Sequence, residues 1–63
     1  MEDTWKNETP LGTVQYTMTG SPQSGFVYTA QLEGNDIRHE QVGHNQLSRE
    51  DVEKLFADDF EEE

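Results

Sequence analysis

An α+β fold is predicted: a three-stranded antiparallel meander followed by one C-terminal amphipathic helix packed on one sheet face, in the order βββα. Two changes near residue 48 predict it. The hydrophobic period shifts from two to a step of three or four, and the charge density rises at the same place. Residues 1–47 hold six acids and two bases, net −4, while the sixteen residues 48–63 hold eight acids and two bases, net −6. The 63-residue length leaves room for a single small domain. The chain is expected to divide into a loose segment 1–10, a domain 11–60 and an acidic tail 61–63.

The strands follow from alternation. In Gly12–Thr19 the larger apolar side chains fall at Val14, Tyr16 and Met18, with Thr13, Gln15, Thr17 and Thr19 between them. That gives one apolar face and one Thr-rich face, and β-branched Thr suits a strand. Gly20-Ser21-Pro22-Gln23-Ser24-Gly25 is a cluster of turn formers that reverses the chain. Phe26–Glu33 alternates again, with Phe26, Tyr28, Ala30 and Leu32 on one face. Gly34-Asn35-Asp36 is a tighter turn with two residues that tolerate positive φ. Ile37–Val42 is a weaker third strand whose apolar ends have opposite parity, which calls for a bulge or a shorter strand. Residues 1–10 are polar apart from Met1 and Trp5, and Trp5 is expected to dock on the domain.

The helix has the clearest local signal. Ser48 is a good N-cap, with Asp51 three residues later in the capping-box position. Leu47 and Val52 stand at the N′ and N4 positions of a hydrophobic staple. Val52, Leu55, Phe56 and Phe60 form one apolar stripe, and Glu50–Lys54 is a favourable i,i+4 pair. Glu61, Glu62 and Glu63 oppose the helix dipole, so the last turn is expected to fray. The expected core is Val14, Tyr16, Met18, Phe26, Tyr28, Ala30, Leu32, Ile37, Val52, Leu55, Phe56 and Phe60.

Composition excludes several functions. Fourteen acids against four bases give a formal net charge of −10, which argues against direct binding of a nucleic-acid backbone or an anionic membrane. No apolar run of about 18 residues is present, and the start MEDTWKNE lacks a signal peptide's basic and apolar regions. A cytoplasmic location is therefore expected. With no cysteine there is neither a disulfide framework nor a Cys-based zinc site.

No catalytic constellation stands out, and no enzyme, cofactor or metal site is expected. His39-Glu40-Gln41-Val42-Gly43-His44 approaches a zincin motif, but its histidines are five apart on a strand and loop, where the motif needs four on a helix. A weak metal site through His39 and His44, completed by Glu40 or Asp36, is the third and least favoured reading. Ser21, Ser24 and Ser48 lack a nucleophile elbow, and Asp51, Asp58 and Asp59 lack calcium-loop spacing. Tyr16, Phe26 and Tyr28 could form a stacking platform for single strands, but such platforms need a basic groove; core packing explains them better. The sequon Asn7-Glu8-Thr9 has no secretion signal beside it. Thr13, Thr17 and Thr19 lie on the outer face of the first expected strand, a sheet edge that offers a route to a homodimer.

The acidic array is what remains. A solvated face accounts for it, and so does a surface that imitates a nucleic-acid backbone: a helix rising about 1.5 Å per residue with carboxylates at roughly half its positions comes within a factor of two of a duplex, with one charge per about 1.7 Å of axis. The first reading is a non-enzymatic protein-binding domain that occupies a basic, nucleic-acid-binding surface on a partner. Glu50, Glu53, Asp58 and Asp59 would carry the contact, extended by Glu33, Asp36 and Glu40. On charge and size alone the chain resembles small acidic, often phage-encoded, inhibitors of restriction, CRISPR or transcription machinery; no sequence motif adds to that. The second reading is a halophilic protein, dimeric or not, whose acids and few lysines maintain hydration in molar salt.

Overall fold

The computed structural model describes residues 1–60, so the expected acidic tail at 61–63 lies outside the described residues. The fold is α+β, and the sheet has four strands where three were expected. They are β1 (Glu2–Thr9), β2 (Gly12–Ser21), β3 (Gly25–Leu32) and β4 (Arg38–Gly43), antiparallel and in chain order across the sheet. A short helix, α1 (Arg49–Leu55), and a 3-10 turn, η1 (Ala57–Phe60), cover one face. The longest dimension is 37 Å, close to the reach of the ten-residue β2 at about 3.4 Å per residue.

The additional strand is β1, formed by the segment expected to be loose. It pairs with β2 along its whole length, from Glu2 opposite Thr19 to Thr9 opposite Gly12. That pairing fixes which β1 side chains share the helix-covered face: Asp3, opposite Met18; Trp5, opposite Tyr16; and Asn7, opposite Val14. Apolar alternation is missing because two of these three are polar and bind groups on α1. Pro10 and Leu11 make the turn, where proline's fixed φ suits the first corner and Thr9 Oγ1 donates to the Gly12 carbonyl at 2.8 Å.

Because β1 occupies the outer position, the strand bearing Thr13, Thr17 and Thr19 is paired on both sides and is not an edge; the edges are β1 and β4. Gly20, φ +126°, is required by the β2–β3 turn, since a Cβ there would sit 2.1 Å from the Gly25 carbonyl oxygen. The third expected strand begins at Arg38, which resolves its parity conflict. Ile37 precedes it and is 38% exposed, outside the core, while Val42 faces away from the helix and is 74% exposed.

The core is Val14, Tyr16, Met18, Phe26, Tyr28, Ala30, Leu32, Val52, Phe56 and Phe60, with Trp5 and Leu47 packed against it. Ser48 caps α1, its hydroxyl accepting from the Asp51 amide at 3.2 Å. Helical winding then changes. The α-helix ends at Leu55, and the Asp59 amide donates to the Phe56 carbonyl at 3.0 Å, a three-residue step. Val52, Phe56 and Phe60 point into the core, whereas Leu55 flanks that row and is 43% exposed, so it does not belong to the buried stripe.

Candidate functional site

The seven acids expected to form one surface divide among three places. Glu50, Glu53, Asp58 and Asp59 lie on α1 and η1. Glu50 is exposed and paired with Lys54 at 3.4 Å, the i,i+4 pair expected. Asp58 is exposed, and Asp59 Oδ1 stands 4.0 Å from His39 Nδ1. Glu40 lies on the opposite sheet face, opposite Thr29 and 3.8 Å from Arg38. Glu33 follows β3 and pairs with Lys6 at 2.9 Å, while Asp36 is exposed in the β3–β4 turn.

Glu53 differs from the others because it is half-buried and hydrogen-bonded. Its carboxylate accepts from Trp5 Nε1 at 3.2 Å and from Asn7 Nδ2, tying α1 to β1. One turn earlier, Arg49 donates two hydrogen bonds to Asp3, at 3.0 and 2.8 Å, and its guanidinium lies 5.3 Å from the centre of the Trp5 ring. Trp5 in turn stacks on Tyr16 with 5.6 Å between ring centres. Hydrogen bonding from Arg49 holds the Asp3 carboxyl below its usual range, and the same contact raises the Arg49 pKa. Burial, then the Glu53 charge, pushes the Tyr16 phenol up.

Sequence reasoning missed Asp3, Asn7, Tyr16 and Arg49 as partners of this cluster. The signal available was Trp5, a lone large aromatic in a polar segment, which needs an apolar surface and a partner for its N–H.

Two concave regions bear on function. The sheet face turned away from α1 holds an open trough of about 510 Å³, lined by Gln15, Thr17, Thr29, Gln31, Arg38, Glu40 and their neighbours. Its amides and hydroxyls offer hydrogen bonds, and Val27 and the threonine methyls add apolar surface. A smaller groove of about 270 Å³ runs between the β1–β2 end of the sheet and the helical segment, lined by Asn7, Thr9, Pro10, Tyr16, Glu53, Ala57 and Phe60, among others.

His39 packs edge-on against Phe60, ring centres 5.3 Å apart. Among the described residues, no three His, Cys, Asp or Glu side chains are grouped to hold a metal ion. No described helix is long and apolar enough to cross a membrane. No protein-family model matches this chain, and no curated protein or solved structure matches it either.

Proposed function

We propose that this chain is a non-enzymatic protein-binding domain whose acidic side chains occupy a basic, nucleic-acid-binding site on a partner, in the manner of a small inhibitor. One observation carries the reading. Each of the four basic side chains stands within 4 Å of a carboxylate of the same chain: Lys6 of Glu33, Arg38 of Glu40, Arg49 of Asp3 and Lys54 of Glu50. Asp36, Asp51 and Asp58 are exposed and have no such cation among the described residues. The charge left to attract a partner therefore has one sign, which favours fast, salt-sensitive association with a basic surface.

Geometry narrows the kind of imitation. At seven residues α1 spans about 10 Å, a length over which a duplex carries roughly six phosphate charges. The helix supplies three acids, Glu50, Asp51 and Glu53, and η1 adds Asp58 and Asp59. This suits a compact basic patch better than a long nucleic-acid groove.

A second reading draws support from the placement of Glu40, Glu33 and Asp36 away from α1: acids on several sides also suit a protein that uses charge for hydration in concentrated salt. The experiment that separates the two is charge reversal of Glu50, Asp51 and Asp58 to Lys, all exposed and outside the Trp5 cluster. The expected result is that a basic protein retained from host lysate by the wild-type chain, and displaced from it by duplex DNA, is no longer retained by the variant. Equal retention would overturn the inhibitor reading and leave the hydration reading in its place.

A further inference from the structure

The groove beside Glu53 contains a group that the fold itself does not use. Tyr16 is 3% exposed, and its ring is held between the core and Trp5. Among the described residues its hydroxyl has no hydrogen-bond partner, in contrast to the other core tyrosine, Tyr28, which donates to the Asn45 carbonyl. Among the described residues no side-chain nitrogen or oxygen sealed from the surface lacks a partner, so the Tyr16 hydroxyl opens onto the groove it lines. A buried polar group normally has a partner, and an unused one at the floor of a groove is matched by a ligand or solvent.

The groove has a charged wall and an apolar wall. Glu53 supplies the charge: its carboxylate accepts one bond each from Trp5 and Asn7, and a carboxylate has about four acceptor positions, so capacity remains. Phe60, Ala57 and Pro10 supply apolar surface. The volume, about 270 Å³, is below the roughly 300–1,000 Å³ of drug-sized ligand sites, which suits one long side chain better than a cofactor.

We propose that this groove receives an arginine side chain of the partner protein, its guanidinium donating to Glu53 and to the Tyr16 hydroxyl while its stem lies along Phe60 and Pro10. Arginine fits better than lysine on two counts. A guanidinium presents five donors in a planar fork that can serve both oxygens, and its weak hydration and flat faces suit a half-buried site with aromatic walls. The chain already holds a guanidinium against an aromatic ring, where Arg49 lies over Trp5, the residue that donates to Glu53. This inference rests on the proposed binding of a basic partner and gives that partner an anchoring residue.

The test is an NMR titration of the whole chain with N-acetyl-arginine amide, alongside N-acetyl-lysine amide and N-acetyl-glutamine amide. The arginine compound is expected to shift Tyr16, Ala57 and Phe60 saturably, with the lysine compound several-fold weaker and the glutamine compound inactive. Tyr16→Phe keeps the ring and removes only the oxygen; it should weaken arginine binding about tenfold, the size of one hydrogen bond to a charged group, with an unchanged circular dichroism spectrum. Unaltered binding by Tyr16→Phe, or equal binding of the lysine compound, would overturn the assignment. Shifts confined to Glu50, Asp51 and Asp58 would overturn the groove while leaving the acidic-surface reading intact. No shift with any compound would overturn the groove as well, and retention of the basic partner would still decide the broader reading.

Discussion

The two inner strands and the two outer strands of this sheet are held by different physics. β2 and β3 contribute Val14, Tyr16, Met18, Phe26, Tyr28, Ala30 and Leu32, all buried on the helix-covered face. β1 and β4 contribute no fully buried residue. The outer strands rest on backbone pairing plus a few side-chain contacts: Trp5 packed on Tyr16 and the core, Asp3 tied to Arg49, and Trp5 and Asn7 to Glu53, on one side; His39 beside Asp59 and Phe60 on the other. In a chain with only 30% hydrophobic residues, the helix covers the middle of the sheet, and charged helix groups secure its β1 flank.

The largest expected effect tests the inner pair. Met18 is 2% exposed and stands between Asp3 and Tyr28 in the register. Met18→Ala deletes its thioether stem from a core of ten residues and should destabilise by about 2–5 kcal/mol, the usual range for such truncations. For a domain of this size that is a large share of the total. Urea denaturation followed by circular dichroism measures it; a loss below about 1 kcal/mol would mean that the inner strands are not where the stability resides.

A smaller effect, with a distinctive pH signature, tests the tie on β1. Asp3 has its folded-state pKa lowered by the Arg49 hydrogen bonds, so its contribution to stability is present above the ordinary value of 3.8 and is lost as pH falls through the depressed one. Asp3→Asn should therefore be less stable than wild type at pH 7, and the two should converge on acidification below about pH 4. Both proteins also gain as other carboxylates are neutralised and repulsion within a chain of net charge −10 falls, so the difference between them is the quantity to follow. The gap should narrow in high salt too, because the pair is exposed. A gap that persists at pH 2 would show that Asp3 acts through its shape and not through its charge.

The same contrast explains what the sequence revealed. Alternation in Val14–Met18 and Phe26–Leu32 reports one-sided burial, so the inner strands were legible, and Ser48 with the Val52–Phe56–Phe60 spacing made the helical segment legible as well. In β1 the covered-face positions are Asp3, Trp5 and Asn7, and their polar side chains are satisfied by Arg49 and Glu53, nearly fifty residues away. Nothing local in EDTWKNET records those partners, and so the segment read as loose. Leu55 and Ile37 fall outside the core for a simpler reason: at about 100° per residue Leu55 lies on the flank of the Val52–Phe56 row, and β4 starts at Arg38, one residue after Ile37. The acids were legible as a count. Their division into paired, hydrogen-bonded and unpaired carboxylates depends on the fold.

The smallest expected effect concerns the other outer strand. Val42 is 74% exposed on the face away from α1, opposite Val27, and belongs to an edge whose outward backbone groups have no partner among the described residues. Val42→Lys removes little buried area and adds a charge where edge strands commonly carry one, so stability should change by no more than about 0.5 kcal/mol. Replacing Val also lowers strand propensity, and adding a cation to an acidic chain relieves repulsion; the two terms oppose each other at similar size. Denaturation at two protein concentrations is the check. A loss above 1 kcal/mol that grows with protein concentration would show that this edge or its open face is covered by a second copy in solution. β4 would then be as firmly held as β1, by a neighbouring molecule in place of a helix.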